Sequence, residues 1–335
     1  MVTTRRFAAF AASLALLAAP AAFAQQAVDD SGPIDLKRID PEANLVEELV
    51  VNARLPGPAW WKVSDADSTV YVMAVPGFTP KGLDFDTSVI ERRLDGANRL
   101  ILAPEPKVSV VRIVSLVMTG RRYFLSEAPM RQTLPPALRE RLEARLKLAG
   151  EKPESMDDIK PAFAGFLVAN MRQGGSVTLS GGSVAERIEK IARSGDLKKR
   201  PKVQALDGYD VIDALKSVGS LPKAQQEFCL EAGLREAEAG GPGYEAIAQR
   251  WAAGDVVQLA ASDRGYQACL ASAPGVAAEI RGTIDRSTRA IEAALKAPGK
   301  SVALVNFRPL LAQDGVLDRL KAKGLKITTP GEVQP

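Results

Sequence analysis

One nearly continuous apolar run limits the folds that this chain can adopt. Residues 69–75, TVYVMAV, are apolar, aromatic or β-branched, which is typical of a strand buried on both faces in the middle of a parallel or mixed sheet. Residues 76–77, Pro-Gly, end the run, and Ser88 has the spacing of a capping box with Glu91, which predicts a helix start. In open α/β sheets the loop after such a strand borders the usual ligand crevice, so a site is expected there.

Three more apolar segments are predicted to join this sheet. They are residues 99–103, 203–207 and 301–305. The first of them completes a β-α-β unit with the strand at 69–75, and a right-handed crossover makes those two strands parallel. Residues 108–117 form a further apolar run and are also predicted as a strand. The sequence therefore predicts an α/β (α+β) fold with a central mixed, largely parallel β-sheet flanked by helices.

Helical periodicity dominates from about residue 134 to residue 295, which predicts a large helical insertion. One helix there is expected to end at Gly150. Its apolar face is predicted to consist of Leu138, Leu142, Leu146 and Leu148. Trp251, in the same region, is interpreted as a core aromatic residue packed between helices.

The first 24 residues have the pattern of a cleavable signal peptide. A basic pair at residues 5–6 precedes an apolar run at 7–17, and Ala22-Phe23-Ala24 has the small-residue pattern of a cleavage site. Cleavage after Ala24 would leave 311 of the 335 residues, periplasmic or secreted. No later segment approaches about 18 uninterrupted apolar residues, so no transmembrane segment is expected after cleavage.

The mature chain is predicted to begin with an extended segment. Residues 25–55 are expected to form an extended N-terminal segment, with a polar lead-in up to about residue 45 and an edge strand or an extended arm at 46–54. Residues 56–330 are assigned to the α/β domain with its helical insertion.

The charge balance gives no indication of a nucleic-acid partner. The chain has 44 basic and 40 acidic residues, and two of the basic residues belong to the predicted signal peptide. Charges of both signs are mixed along the sequence, whereas nucleic-acid binding requires a basic patch or stripe. An ordinary solvated surface is therefore expected.

The chain contains two cysteines, Cys229 and Cys269, both in helix-like stretches of the inserted region. Because an exported protein meets an oxidising compartment, a disulfide between them is predicted, with Cα atoms roughly 4.4–6.8 Å apart. Two buried free thiols are the alternative.

Histidine is absent from the whole chain. This composition excludes a histidine-based catalytic triad, a histidine general base and a zinc site built on histidines. Carboxylates, lysines and tyrosines remain as groups that could transfer protons.

Residues 61–65 (WKVSD), 67–71 (DSTVY), Pro80 and 82–84 (GLD) resemble the start of the TraB/GumN family, which includes the Tiki-type metalloproteases. The resemblance continues through a glycine- and leucine-containing segment near residues 314–325, so it covers most of the mature chain. Members of that family carry two Gly-x-x-His motifs, whose strands converge on one metal ion. The resemblance therefore implies that strands 69–75 and 301–305 are neighbours in the sheet.

The chain departs from this family at the residues that carry the chemistry. The first Gly-x-x-His motif corresponds to Ala74 and Gly77, and the second to Asn306 and Pro309. Acidic positions of the family correspond to Ala103 and to Asp207, which keeps a carboxylate on a shorter side chain. With both histidines replaced, the resemblance implies no catalytic residue, no metal ligand and no cofactor.

Three functions remain open at this point. The first is an exported pseudoenzyme of the cell envelope that binds an unknown protein, peptide or polysaccharide-related partner. The second is a hydrolase or peptidase in which carboxylates, with Asp207 and Glu105 as candidates, hold Mn²⁺ or Mg²⁺. The third is a role in envelope assembly or maintenance. Carboxylates clustered at the ends of strands 69–75 and 301–307 would favour the enzyme, whereas an apolar or arginine-containing mouth would favour binding. Arg308 is a candidate for such an arginine and would favour an anionic group.

Overall fold

The structure is a computed structural model. It describes residues 35–77, 79–80, 82–107, 121–171, 181–239, 244–262 and 264–333. The predicted signal peptide and the predicted strand at 108–117 lie outside the described residues.

The sheet is built from short strands, and most of its length lies in two of them. The described strands are β1 (Trp60–Ser64), β2 (Ser68–Val75), β3 (Thr79–Pro80), β4 (Arg99–Ile101), β5 (Pro106–Lys107), β6 (Gly181–Gly182), β7 (Lys202–Gln204), β8 (Tyr209–Asp210), β9 (Gly299–Asn306) and β10 (Lys326–Thr328). Six of these form the central sheet in the order β10-β1-β2-β9-β4-β7. The strands β2, β9, β4 and β7 run parallel, and β1 pairs antiparallel with both β2 and β10. The predicted fold class is confirmed.

The two longest strands, β2 and β9, are neighbours, as predicted. They pair in parallel from Ser68 opposite Gly299 to Val75 opposite Asn306. Because β9 lies between β2 and β4, the predicted parallel alignment of the β-α-β unit also holds, although its two strands do not touch. The carboxyl ends of β2 and β9 therefore meet at one edge of the sheet.

Helices surround this sheet. The described helices are α1 (Leu36–Ile39), α2 (Ser88–Leu94), α3 (Arg121–Phe124), α4 (Met130–Thr133), α5 (Pro136–Ala149), α6 (Pro161–Asn170), α7 (Val184–Ser194), α8 (Val211–Gly219), α9 (Lys223–Glu238), α10 (Tyr244–Ala252), α11 (Val256–Ala261), α12 (Gly265–Ser272), α13 (Pro274–Leu295), α14 (Phe307–Leu311) and α15 (Val316–Ala322). None of the helices in the described part of the chain combines the length and the apolar character that a membrane crossing needs.

Alternate residues of the central strands pack into two different cores. Val70, Val72 and Ala74 belong to one apolar cluster with α13, α14 and α15, whereas Met73 and Val75 belong to another with α2 and α7. This alternation follows from the period of two along a strand. Because helices cover both faces of the sheet, the sequence of β2 is a nearly continuous apolar run. Trp251 is 2% exposed in the second cluster, so its interpretation as a core residue is confirmed.

Two local predictions are wrong in detail. Helix α2 begins at Ser88, but its N-cap position is Thr87, whose hydroxyl donates to Glu91 Oε1 at 2.8 Å. Asp86 Oδ1 accepts from the Ser88 amide at 2.7 Å. The N-cap of the helix therefore lies one residue earlier than the capping-box pattern indicates. Leu148 does not belong to the apolar face of α5, because it is 65% exposed while Ala149 is buried.

The helices α6 and α9 approach each other through two glycines. A Cβ built on Gly233 would lie 2.1 Å from the Gly165 carbonyl oxygen, and one on Gly165 would lie 2.4 Å from the Cys229 carbonyl oxygen. Cys229 of α9 faces Cys269 of α12, and their Cα atoms are 5.1 Å apart. The predicted pairing is confirmed, since this spacing is that of a disulfide-capable pair.

The segment before β1 differs from the expected edge strand or extended arm at 46–54. A 3₁₀ helix forms at Glu47–Leu49, and the side chain of Leu49 is buried in the core. The Leu49 carbonyl accepts from the indole N–H of Trp61 at 3.1 Å. This bond to a side chain joins the segment to β1, where an edge strand would have been joined by backbone hydrogen bonds. Leu45 makes a single antiparallel bridge to Ala312. The chain from residue 35 to residue 53 thus packs on the domain.

Candidate functional site

A cavity of about 370 Å³ lies at the carboxyl ends of β2 and β9. Its walls come from the sheet edge, from α8, α12, α13 and α14, and from the segment before β1. It is lined by Glu42, Val75, Gly77, Tyr209, Ala214, Arg264, Gln267, Leu270, Ala271, Val276, Glu279, Ile280, Thr283, Asn306, Phe307, Arg308 and Pro309. Val75 and Pro309 are buried, whereas Gly77 and Gln267 are exposed, so these two lie where the cavity opens.

Helix periodicity brings much of this lining to the cavity. Helix α13 contributes residues at positions i, i+3, i+4 and i+7, which lie on one face of a helix. These are Val276, Glu279, Ile280 and Thr283. Farther along the same helix, Ile284, Ile291 and Leu295 pack into the core beneath the sheet. One helix therefore anchors itself with its second half and presents its first half to the cavity.

The structure brings together part of the residue set predicted from sequence. Gly77, Asn306 and Pro309 line the cavity. Ala74 and Ala103 are buried in the apolar clusters on either side of the sheet. Asp207 lies beyond the end of β7. Asp207 and Glu105 are both exposed, and neither belongs to the described lining, so the two candidate carboxylates do not converge on this site.

Gly77 faces open space. A Cβ built at this residue meets no atom of the described residues within 4 Å, so a side chain could be accommodated where the family resemblance places a histidine. The glycine leaves this part of the mouth unfilled.

Arg264 carries the strongest ion pairs of the site. Its Nη1 lies 2.9 Å from Glu42 Oε2, and its Nη2 lies 3.2 Å from Asp40 Oδ2. The Asp40 side chain is 1% exposed and that of Arg264 is 12% exposed. Burial raises the pKa of both carboxyls above their ordinary values, against the opposing pull of the Arg264 charge. The pairing thus compensates for only part of the cost of taking these carboxylates out of water.

Arg308 lies near Arg264, Asp40 and Glu42, but its side chain is bound by backbone oxygens. Its Nη2 donates to the carbonyl oxygens of Ala260 and Ser262, each at 3.1 Å. Among the described residues, no carboxylate lies within ion-pair distance of this guanidinium. Burial lowers the pKa of Arg308, and the nearby charge of Arg264 lowers it further. The cavity wall therefore carries a positive group whose contacts in the described chain are backbone oxygens.

Tyr209 and Glu279 supply the remaining ionisable groups of the lining. Burial raises the pKa of Tyr209, and the charges of Glu279 and Glu42 raise it further. Glu279 Oε2 lies 3.5 Å from Arg286 Nη2, so this carboxylate already has a partner. Tyr209 remains a neutral hydroxyl at physiological pH and can donate or accept a hydrogen bond.

A metal ion like the one on which the resembled family's two histidine motifs converge does not fit the described residues at this edge. Gly77 has no side chain, and the proline ring of Pro309 has no donor atom for a metal. Nowhere in the described chain do three or more Asp, Glu or Cys residues come close enough together to hold an ion. Of the carboxylates in the described lining, Glu42 is engaged by Arg264 and Glu279 lies 3.5 Å from Arg286 Nη2.

Sequence reasoning missed Arg264, Asp40, Glu42 and Tyr209 as members of the site. Asp40 and Glu42 lie in a segment with no helical or strand period, and more than 200 residues separate them from Arg264. The lining face of α13 did have a readable signal, the spacing of residues 276, 279, 280 and 283. Arg308 was identified correctly as a positive group beside Pro309.

Comparison with known proteins supplies one match. The sequence profile of the TraB/PrgY/gumN family matches residues 59–329, which is most of the chain. No curated protein and no solved structure matches the chain.

Proposed function

The chain belongs to the TraB/PrgY/gumN family, and from that premise we propose that it binds a ligand in the cavity at the sheet edge without metal-dependent catalysis. One observation carries the proposal. The two positions that resemble the family's histidines, Gly77 and Pro309, both line a largely apolar cavity and offer no metal-binding atom. The positive charges of Arg264 and Arg308 in the same wall disfavour a divalent cation there.

A cavity of this kind suits binding. Small-molecule sites are concave, are lined mainly by apolar side chains and contain a few polar groups that orient the ligand. A volume of about 370 Å³ lies within the range of such sites. The carboxylate-based hydrolase is not supported in the same way, since Asp207 and Glu105 are exposed and apart from the cavity lining.

The decisive test combines metal titration with an activity assay. We expect calorimetry with Zn²⁺, Mn²⁺ and Co²⁺ to give no stoichiometric binding, and we expect peptide substrates to remain uncleaved with each metal. An Asp207→Ala variant serves as the matched control for the alternative. Micromolar stoichiometric binding, with turnover that disappears in Asp207→Ala, would replace the binding protein by a carboxylate-dependent hydrolase.

The proposed place of action is the bacterial cell envelope. This part of the proposal rests on the signal-peptide pattern ending at Ala24 and on the pairing of Cys229 with Cys269, which suits an oxidising compartment. N-terminal sequencing of the protein recovered from the periplasm of an expressing bacterium should give a chain that starts at Gln25. Recovery of uncleaved chain from the cytoplasm would contradict export.

A further inference from the structure

We propose that the cavity binds a small organic monocarboxylate, with its apolar body inside the cavity and its carboxylate on Arg308. This inference rests on the function proposed above and specifies the class of ligand.

The lining fixes the apolar part of the ligand. Aliphatic and aromatic side chains dominate the walls, and they come from α8, α12, α13, α14 and the end of β2. They are Val75, Ala214, Leu270, Ala271, Val276, Ile280, Phe307 and Pro309. The volume of about 370 Å³ is near the lower end of small-molecule sites, so the ligand has few carbon atoms.

The charged groups of the cavity wall indicate which polar group the ligand carries. Glu42 pairs with Arg264 at 2.9 Å, and Glu279 faces Arg286 at 3.5 Å. Arg308 has no carboxylate within ion-pair distance among the described residues, and the bonds it makes there to Ala260 and Ser262 both use Nη2. A guanidinium has five N–H donors, and within the described part of the chain Nε and Nη1 of Arg308 donate no hydrogen bond, so we assign these two donors to a ligand. A carboxylate would accept from one of these two donors, because the bidentate fork of a guanidinium, Nε with Nη2 as in the Arg141–Glu238 pair, needs the Nη2 that Arg308 uses for backbone oxygens.

The same charges argue against other head groups. A cationic ligand would have to displace an arginine from Glu42 or Glu279, whereas a carboxylate meets Arg308 without breaking either pair. A dianionic phosphate needs several donors or cations around it, and Asp40 and Glu42 lie close enough to lower the gain through repulsion. One negative charge therefore suits this wall better than two. The hydroxyl of Tyr209, also in the lining, can donate a further hydrogen bond.

The test is calorimetry on the mature chain, which begins at Gln25, with probes that share an eight-carbon body. Octanoate is expected to bind, while octan-1-ol, octylamine and octyl phosphate are expected to bind at least about tenfold more weakly, because they lack the charge-assisted pair or carry the wrong charge. Across hexanoate, heptanoate and octanoate, affinity should rise by about three- to fourfold per methylene group. N-acetyl-leucine is a further probe, since its binding would indicate a peptide chain end as the source of the carboxylate, whereas binding of octanoate alone would indicate a free acid.

Two variants examine the two halves of the site. Arg308→Met is expected to weaken octanoate binding by about tenfold or more and to leave octan-1-ol unaffected, because only the carboxylate uses the charge. Arg308→Lys should recover part of the loss. Arg92→Met, at an exposed arginine outside the cavity lining, is the matched control and should bind like the unaltered chain.

The second variant is Gly77→Phe, which avoids the risk that Arg308 also supports the fold. The Cβ of a side chain at residue 77 meets no atom within 4 Å in the part of the chain that the structure describes, so the fold should tolerate it. It should obstruct the mouth and weaken every carboxylate probe.

The outcomes separate this inference from the function on which it rests. Octan-1-ol or octylamine binding as tightly as octanoate would overturn the ligand class and leave a binding cavity. Octanoate affinity that is unchanged in both Arg308→Met and Gly77→Phe would place binding elsewhere and also overturn the inference. Failure of every probe to bind would reject the monocarboxylate, whereas zinc-dependent peptide cleavage would reject the proposed function itself.

Discussion

Trp251 connects the helical part of the chain to the central strand through a single buried hydrogen bond. Its indole N–H donates to the Ala74 carbonyl at 2.6 Å, and its ring packs edge-on against Phe85 with centroids 5.0 Å apart. The bond ends on the residue that stands where the resembled family has the glycine of its first histidine motif. Trp251 thus fixes the end of β2, from which Gly77 enters the cavity mouth.

The first prediction is that Trp251→Phe lowers the free energy of unfolding by about 1–3 kcal/mol beyond the effect of the smaller ring, because it leaves the buried Ala74 carbonyl without this donor. Trp60→Phe is the matched control. Trp60 is equally buried at 2% exposure, and its indole nitrogen has no hydrogen-bond partner in the described structure. Urea denaturation of both variants gives the comparison, and equal losses would show that the Trp251 bond contributes nothing.

The second prediction concerns the pH dependence that Asp40 and Glu42 impose. Burial raises the folded-state pKa of both carboxyls, so the folded chain holds these protons more tightly than the unfolded chain does. Their contribution to stability therefore falls as pH rises from the ordinary carboxyl range through the raised values. Arg264 and Arg308 face both carboxyls and reduce this effect, whereas the charge of Asp40 raises the pKa of Glu42 further.

We expect Glu42→Gln to gain stability relative to the unaltered chain as pH rises through this window, because the variant has no buried charge to form at residue 42. The free energy of unfolding of both chains is measured by denaturation at a series of pH values, and the difference between the two free energies is plotted against pH. Glu47→Gln, which alters an exposed carboxylate of the same segment, is the control. A Glu42→Gln difference that does not vary with pH would contradict the raised pKa.

Single residues were predictable where one chemical property decides their role. Gly77 and Pro309 could be identified as positions without metal ligands because their side chains lack donor atoms. The disulfide could be predicted because two cysteines allow only one pairing. The ion pairs of Arg264 could not be predicted in this way. Every charged residue of a mixed-charge sequence has many potential partners, and tertiary contacts alone select Asp40 and Glu42.

At the scale of elements, the close approach of α6 and α9 depends on glycine. The backbones of α6 and α9 touch where Gly165 meets Gly233, at a distance that leaves no room for a Cβ on either residue. Helices can come this close only where side chains are absent, since backbone atoms cannot move aside as a flexible side chain can. This contact holds the helix that carries Cys229 against the rest of the helical region.

The third prediction is that Gly233→Ala destabilises the chain by about 1–3 kcal/mol through overpacking, despite the higher helix propensity of alanine. Gly282→Ala, in α13, is the control, since its new Cβ meets the mobile end of Arg286 at 3.0 Å and should be neutral or stabilising. Thermal denaturation of the two variants decides the matter. Destabilisation by Gly282→Ala and not by Gly233→Ala would be the opposite of what the packing requires.

Elements were predictable to the extent that burial imposes a pattern on sequence. Strands β2 and β9 are covered on both faces and have long apolar runs, whereas the three-residue strand β10 has no such run and was not predicted. Leu148 shows the limit within a helix, because an apolar residue two positions after Leu146 turns to the opposite face and its type alone does not reveal this. The N-cap of α2 was predicted wrongly for a related reason. Asp86, Thr87 and Ser88 all have side chains that can form hydrogen bonds at this end of the helix.

At the scale of the whole molecule, the cavity is assembled from distant parts of the chain. Its described lining runs from Glu42 to Pro309, and neither the sheet edge nor the helical region forms it alone. The fold class and the neighbouring strands followed from local patterns and from the family resemblance. The cavity wall did not, because it depends on how the segment before β1 and helix α12 meet above the sheet.

That segment joins the two ends of the domain. The Val46 amide donates to the Leu311 carbonyl at 2.9 Å, and the Gln313 amide donates to the Asn44 carbonyl at 3.0 Å. Arg264 of the helical region is bound from the same segment by Asp40 and Glu42. The N-terminal residues therefore act as a strap across the last strand-helix unit and the cavity wall.

The fourth prediction follows from this strap. Removal of residues 25–45 from the mature chain leaves Arg264 buried without either carboxylate, and breaking a buried pair in this way costs about 3–5 kcal/mol. We expect the shortened chain, beginning at Val46, to unfold at correspondingly lower denaturant than the chain that begins at Gln25. The matched variant is Arg264→Met placed in both chains. Since methionine removes the unpaired charge and keeps an apolar stem, it should restore part of the stability of the shortened chain and should destabilise the longer one. If Arg264→Met has the same effect in both chains, Asp40 and Glu42 do not couple to Arg264, and the strap would be held by its backbone bonds alone.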